Sequence, residues 1–354
     1  MSGNQKPDIR SLTHDELEDF LSSIHEKRFR TKQVYEWLWK KGCRSFEEMT
    51  NLTLSLRNRL ADTYTFEVAQ EIRHQQSIDG TMKFICRLHD NTVIESVLIP
   101  SDGRSTACIS SQAGCALGCT FCATATLGLN RNLTAAEMFD QVWKLNEASV
   151  KNHQIPLSNI VLMGMGEPLF NYPHVKRMID IITGKEGLGM SPQRITISTV
   201  GVPKVIRQLA DDQLRTHLAL SLHAATDTKR DLIIPFNKRY PLSELVAALK
   251  YYHNKTGKRF TIEYLLLRDF NDTLVDAKSL AEFCRNFPVK VNLIEFNPGE
   301  GLDFKRSEMR RMKEFRDFLE SRNMVVNIRQ SRGKDIDAAC GQLAGRMKDE
   351  GRRT

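Results

Sequence analysis

No stretch of the sequence approaches the ~18 consecutive apolar residues that a membrane-spanning helix requires, so no membrane association is expected. The opening residues, Met1-Ser-Gly-Asn-Gln-Lys-Pro7, lack the apolar core of a secretory signal. The expectation is therefore a cytoplasmic protein. Internal repeats of solenoid type and low-complexity tracts are missing, which sets aside repeat arrays and long disordered segments. A second C-x2-C pair, of the kind that announces a zinc knuckle, is missing too.

What is present suits a folded chain. Its 354 residues are 41% hydrophobic and 27% charged, enough for one large domain with an appendage or two ordinary domains. Lys plus Arg number 51 against 43 Asp plus Glu, a net charge of +8. That sign suits a polyanionic partner without specifying one. The eight cysteines are not expected to form a disulfide framework in a reducing compartment. Three of them crowd into residues 115–122, which scattered core cysteines rarely do.

Periodicity divides the chain. Residues 1–75 read as a small helical accessory domain. Within it Val34, Trp37 and Leu38 lie on one face of a helix over 31–41, with Gly42 at its C-terminal cap position. The stretch is also basic (Lys27, Arg28, Arg30, Lys32, Lys40, Lys41, Arg44), either a solvated face or an RNA contact. Residues 76–100 read as a β-hairpin extension, with strands over 81–88 and 92–98 joined by His89-Asp90-Asn91. From 101 to 335 strands and helices alternate. Strands are expected over 107–112, 160–163, 194–198, 217–222, 259–267 and 289–296. Helices are expected over 134–148 (with a Thr134/Glu137 capping box), 173–182, 203–209, 242–253, after Asp272, and 307–322 with Met309, Met312, Phe315 and Leu319 on one face. A last apolar stretch, 324–328, leads into a Gly-containing loop, and 336–354 read as a C-terminal segment with a basic tail. Six βα units imply parallel strands under covering helices, in an open sheet or an incomplete barrel. In a barrel the functional groups belong after the strands.

Cys115-Ala-Leu-Gly-Cys119-Thr-Phe-Cys122 directly follows the first strand of this alternating region. Three thiolates on one tight loop can bind three irons of a [4Fe–4S] cluster, which leaves the fourth iron open. A structural zinc needs a fourth ligand, which Cys108 or a distant histidine would have to supply. That alternative describes a non-catalytic, zinc-stabilised RNA-binding protein.

The C-x3-C-x2-C spacing with Phe121 before the last cysteine resembles the signature of radical S-adenosylmethionine (SAM) enzymes, whose usual core is a partial (βα)6, TIM-like barrel. The resemblance implies that the open iron of a [4Fe–4S] cluster chelates SAM and cleaves it to a 5′-deoxyadenosyl radical. Five further motifs are similar to the RlmN family of dual-specificity RNA methyltransferases. They are Cys108-Ile-Ser-Ser-Gln-Ala-Gly-Cys115, Met163-Gly-Met-Gly-Glu-Pro-Leu169, Ile197-Ser-Thr-Val-Gly201, Ser221-Leu-His-Ala-Ala-Thr226 and Gly333-Lys-Asp-Ile-Asp-Ala-Ala-Cys-Gly-Gln-Leu343. The sequence departs at Ala125, where the family has glycine.

The family resemblance implies methylation of the C2 carbon of adenosine 2503 in 23S rRNA and of adenosine 37 in tRNAs, consuming two SAM molecules per methylation. It implies that Cys340 takes a methyl group from one SAM and loses hydrogen to the radical made from the second. The resulting carbon then attaches to the adenine. Cys108 resolves the covalent link through a transient disulfide with Cys340, and Glu95 takes the C2 proton. Gly166, Glu167, Ser198, Ser221, Leu222, His223 and Asn297 are implied as SAM contacts, and Cys115, Cys119 and Cys122 as cluster ligands. Cys43, Cys86 and Cys284 are left as structural. Implied partners are 23S rRNA, tRNA and an electron donor such as flavodoxin or ferredoxin, and a monomer is expected. Candidate RNA contacts are the N-terminal basic helix, the Arg306–Arg316 face and the tail residues Arg346, Lys348, Arg352 and Arg353. The related Cfr-type activity at adenine C8 is the nearest alternative. Gly164-Met-Gly-Glu-Pro-Leu169 and Leu222-His-Ala-Ala-Thr-Asp227 favour C2.

Overall fold

The computed structural model describes residues 6–299 and 302–344; the tail residues Arg346, Lys348, Arg352 and Arg353 lie outside them. Three helices come first: α1 (His14–Ser23), α2 (Phe29–Trp39) and α3 (Leu54–Thr63). Thr13 and Glu16 close a capping box that starts α1. In α2 the buried residues are Thr31, Val34, Leu38 and Trp39. Trp37, expected on that stripe, is instead half-buried, and the Lys41 ammonium sits 3.5 Å over its ring. The Trp39 ring meets Phe139 edge-on at 5.1 Å, tying the helices to the rest of the chain.

The helical stretch is shorter than 1–75. Gln70–Gln76 is a strand, β1, antiparallel to β2 (Met82–Arg87), which pairs with β3 (Val93–Ser101). The expected turn at His89-Asp90-Asn91 is there, with Asn91 in the left-handed region. β3 then pairs antiparallel with β4 (Arg104–Cys108). The strand expected over 107–112 is interrupted. The Ser110 N–H donates to Gln141 Oε1 at 2.8 Å rather than to a neighbouring strand. The chain resumes as β5 (Gln112–Gly114), paired with β6 (Leu129–Asn132).

Beyond lie α4 (Ala135–His153), β7 (Asn159–Leu162), α5 (Tyr172–Thr183), β8 (Ile195–Thr199), α6 (Pro203–Asp211) and β9 (His217–Ser221). They are followed by α7 (Asp227–Ile233), α8 (Leu242–Thr256), β10 (Phe260–Leu266), α9 (Leu274–Cys284), β11 (Val289–Glu295), α10 (Met309–Glu320) and β12 (Val325–Arg329). The main sheet runs β1-β2-β3-β4-β7-β8-β9-β10-β11-β12. β4, β7, β8, β9, β10, β11 and β12 are parallel. The six expected parallel strands are therefore joined by a seventh, β12, at the place read as a final apolar stretch. This is an α/β architecture of parallel strands and covering helices, as expected of a partial barrel, with the antiparallel β1–β3 extension on its first edge.

Details of the helices differ from expectation in two places. The α9 cap is Thr273, boxed with Asp276. Asp272 is buried and accepts from Ser307 Oγ at 2.7 Å. α10 buries Met312, Phe315 and Leu319 but leaves Met309 exposed in its first turn. Ile160, Ile197, Leu220, Ile262 and Leu293 fill the core between sheet and helices. Among the described residues no helix is long and apolar enough to cross a membrane.

Candidate active site

The strands deliver their ends to one cleft of about 240 Å³. Its walls come from the loop 115–125, the ends of β7 to β12, and the segment 338–343. Cys115, Cys119 and Cys122 all face it, and so do Cys108 and Cys340. The cysteine loop is braced by its own backbone. The Cys115 N–H donates to Gly128 O at 2.8 Å, Thr120 N–H to Ile233 O at 3.1 Å and Cys122 N–H to Cys119 O at 3.2 Å. Ala125 does not fall among the residues in the left-handed region, so the loop accepts alanine there without strain.

Burial, reinforced by the neighbouring sulfurs, pushes the Cys119 thiol well up. Burial also raises Cys122 and lifts Cys115 to about 12. Three soft donors crowded against one another need a cationic group to hold them as thiolates. Three thiols on one loop, facing one cavity, fit a cluster held by three cysteines.

Cys108 ends β4 and is buried; burial and the Cys340 sulfur raise it to about 12, while Arg329 opposes them. Arg329, at the end of β12, was not singled out from the sequence. Its Nη1 lies 3.6 Å from Met163 Sδ and 3.8 Å from Glu263 Oε2. The Cys340 sulfur is the largest influence raising its pKa. Cys43, Cys86 and Cys284, by contrast, are buried away from the cleft.

Glu167 lines the cleft with both carboxylate oxygens wired to backbone. Oε1 accepts from the Leu169 N–H at 3.0 Å and Oε2 from the Val200 N–H at 2.9 Å. Burial raises it to about 7. Gly166 before it has φ +96°, and a Cβ there would fall 2.7 Å from Gln112 Cγ; only glycine brings this turn so close to Gln112. Ser198 and Ser221 end adjacent strands with their hydroxyls 3.3 Å apart. His223, also in the left-handed region, accepts the Leu265 N–H on Nδ1 at 3.0 Å. Burial lowers its pKa to about 3, so the ring is neutral and presents Nε2–H as its donor. The ring edge packs on Phe121 at 4.9 Å.

Three expected residues stand apart from the cleft walls. The Leu222 side chain is in the core, and its carbonyl accepts from Arg230 Nε at 3.0 Å. Asn297 is buried and donates to Ser331 Oγ at 2.9 Å. Glu95 is buried on β3. It shares a face with Val97, which packs against Cys108, and with Ile99, which lines the cleft. Besides Arg329, sequence reasoning missed Glu263 and Arg230. Arg230 is fully buried and also donates to Val200 O and Asn237 Oδ1. Its Lys229-Arg230-Asp231 context looks like an ordinary solvated helix face.

Comparisons with known proteins fit this geometry. Residues 8–65 match the family model for the ribosomal RNA large subunit methyltransferase N-terminal domain, and residues 109–281 match that for the radical SAM superfamily. A probable dual-specificity RNA methyltransferase RlmN of Christiangramia forsetii is 49% identical over 97% of this chain and 97% of its own. The chain belongs to the RlmN family. A dual-specificity RNA methyltransferase RlmN of an Anaeromyxobacter species is 43% identical over 96% of this chain and 91% of its own. The crystal structure of a radical SAM methyltransferase from Sphaerobacter thermophilus superposes with a TM-score of 0.91 at 40% identity, covering 96% of this chain and 100% of that one. The protein is thus a radical SAM methyltransferase, with a [4Fe–4S] cluster and SAM as cofactors.

Proposed function

We propose that the chain methylates the C2 carbon of adenosine 2503 in 23S rRNA and of adenosine 37 in tRNAs, acting as a cytoplasmic monomer fed by an electron donor of flavodoxin or ferredoxin type. The observation that carries the reading is one cavity faced by five cysteines: three on one loop, plus Cys108 and Cys340 from opposite ends of the barrel sequence.

Cys115, Cys119 and Cys122 would hold the cluster. Glu167, Ser198, Ser221 and His223 line the wall where SAM belongs, with the backbone of Gly166 and Leu222 and the amide of Asn297 supporting it. When bound, cluster and SAM supply the one-electron cleavage that an electron-poor aromatic carbon requires. The chain's own residues do the rest. Cys340 carries the methyl carbon to the adenine and stays bonded to it. Glu95 takes the C2 proton. Cys108, whose thiol the Cys340 sulfur helps to raise, attacks the Cys340 sulfur: the S–S bond forms as the bond from that sulfur to the transferred carbon breaks, and the electron pair left on that carbon takes a proton, freeing the methylated product.

The test uses anaerobically reconstituted protein and 23S rRNA fragments. Digested product should contain 2-methyladenosine; 8-methyladenosine in its place overturns the C2 assignment. Cys108→Ala should stop as a covalent protein–RNA adduct, and Cys340→Ala should neither gain a methyl group nor form an adduct. Normal turnover by either variant removes that cysteine from the scheme.

A further inference from the structure

The segment that carries Cys340 is gripped on both sides of the cysteine, with Lys334 paired to Glu295 and Gln342 Nε2 donating to Pro298 O at 2.9 Å besides. Beyond the cysteine, the cluster loop holds it: the Ala123 N–H donates to Gly341 O at 2.8 Å and Thr124 Oγ1 to Leu343 O at 2.6 Å. Before the cysteine, the grip comes from the β1–β2 turn, 258 residues distant in sequence. Ser77 Oγ donates to Asp335 Oδ1 at 2.5 Å, and the Ile78 N–H donates to Asp335 Oδ2 at 3.2 Å. The exchange is mutual. The Gly333 N–H donates to Asp79 Oδ2 at 3.0 Å, while Asp79 Oδ1 accepts the Thr81 N–H at 3.0 Å. Lys83 Nζ adds a longer contact to Asp337 O at 3.4 Å. Two turns thus trade carboxylates.

The fit between them is close. Gly333 has φ +64°, and a Cβ on it would lie 2.9 Å from Thr81 Cγ2. The Ser77 hydroxyl, foremost among its partners, holds the Asp335 carboxyl below its usual range. Ser77, Ile78, Asp79, Gly333 and Asp335 do not line the cleft, so none of them touches the reacting atoms.

We propose that Ser77, Asp79 and Asp335 are positioning residues for Cys340: the tip of the β1–β2 hairpin fixes where that sulfur stands in the cleft. The proposal rests on Cys340 being the methyl carrier. Residues 336–340 span the gap between the two grips, a segment too short to wander while both hold. Released at Asp335, the stretch before the cysteine loses its bonds to Ser77 and Ile78 and keeps the Gly333 N–H bond to Asp79, the Lys83 contact and the Lys334–Glu295 pair. Charge-assisted hydrogen bonds are the stronger kind, and a misplacement of about 1 Å in a reacting group costs on the order of 10²-fold in rate.

The test compares holoenzyme carrying Asp335→Ala, Asp335→Asn, Ser77→Ala and the Ser77→Ala/Asp335→Ala pair. Hydrogen–deuterium exchange is read on peptides covering 77–81 and 333–343. The single-turnover rate of Cys340 S-methylation and KM for RNA are read beside it. Asp335→Ala should speed exchange in both peptides at least fivefold and slow S-methylation about tenfold. Iron content should hold and KM should change less than twofold. Asp335→Asn keeps an acceptor for the Ile78 N–H and turns an amide donor toward the Ser77 hydroxyl, which can accept it, but loses the charge, so it should fall between. The double variant should be no worse than Asp335→Ala, because both changes open one clasp. Exchange at 333–343 unchanged by Asp335→Ala overturns the clasp. Faster exchange with S-methylation within twofold of wild type overturns its positioning role. A wild-type Cys340 that never gains a methyl group, beside variants that do loosen the peptide, faults the role given to Cys340 and leaves the clasp without its function.

Discussion

Burial governs reactivity at the level of single residues. In the proposed scheme Cys108 acts as a thiolate, yet burial and the nearby Cys340 sulfur push it up to about 12, with Arg329 the opposing cation. Below its pKa, each unit of pH changes the thiolate fraction about tenfold. Decay of the protein–RNA adduct in single turnover should therefore quicken by about that factor per pH unit between pH 7 and 9. Arg329→Met removes the guanidinium that faces both sulfurs and should slow decay by a further tenfold or so. Decay indifferent to both pH and Arg329 would mean that a group other than the Cys108 thiolate limits this step. Glu167 carries a second pH dependence. Its pKa is about 7 in the folded chain and 4.5 in the reference state, so the folded form holds the proton more tightly. Its stabilising contribution is complete below pH 4.5 and lost as pH rises through 7, a swing on the order of 3 kcal/mol. Urea unfolding of iron-free protein should show that fall, and Glu167→Gln should flatten it. Arg329 was not legible in the sequence, because an arginine ending a five-residue strand looks solvent-facing until the curve of the barrel turns it inward.

Elements were legible where a local rule fixed them and illegible where the rest of the fold decided. The Thr134/Glu137 capping box starts α4 where expected, since its hydrogen bonds lie within four residues. Seeing α2 begin at Phe29 was harder, and that phase puts Trp39 rather than Trp37 in the core. The seventh parallel strand, β12, is short and alternates weakly, and pairing with β11 makes it a strand. α7 spans only Asp227–Ile233, too brief for a helical period to stand out. The glycine motif before Glu167 could be read as a turn, but the reason for glycine appears only with Gln112 beside it. Gly166→Ala combines a left-handed φ with a Cβ driven against the Gln112 side chain. It should cost about 2 kcal/mol or more of stability and displace the adjoining Glu167. Denaturant midpoints check the first effect and SAM titration the second. A midpoint equal to wild type would show that the turn relaxes freely.

On the scale of the whole molecule, two bodies of sequence become one through a few buried links. Arg10 is buried between Asp8 and Asp140, 2.6 Å from the latter, and Trp39 packs on Phe139, so the N-terminal helices are fixed to α4 of the barrel. Their basic face keeps its orientation relative to the cleft for the same reason. Arginines on both candidate faces are paired, Arg28, Arg30 and Arg44 among them, and the two differ in free lysines, with Lys313 alone on the 306–316 face among the described residues. Arg306, Arg310, Arg311 and Arg316 each have a carboxylate within 4.0 Å, on Glu295, Glu314, Asp269 and Asp317 respectively. Lys27, Lys32 and Lys40 are exposed and form no ion pair among the described residues. Unpaired cations release counterions from RNA at no cost to internal pairs, so the N-terminal face should carry more of the binding. Replacing Lys27, Lys32 and Lys40 together by Gln should raise KM for RNA. If all three reach phosphates, the slope of log affinity against log salt should fall by about 2. RNA-independent cleavage of SAM should not change, since none of the three lines the cleft. A salt slope identical to wild type would mean that this face is merely solvated and that RNA is held elsewhere, with the Arg306–Arg316 helix next to be tested by the same measurement.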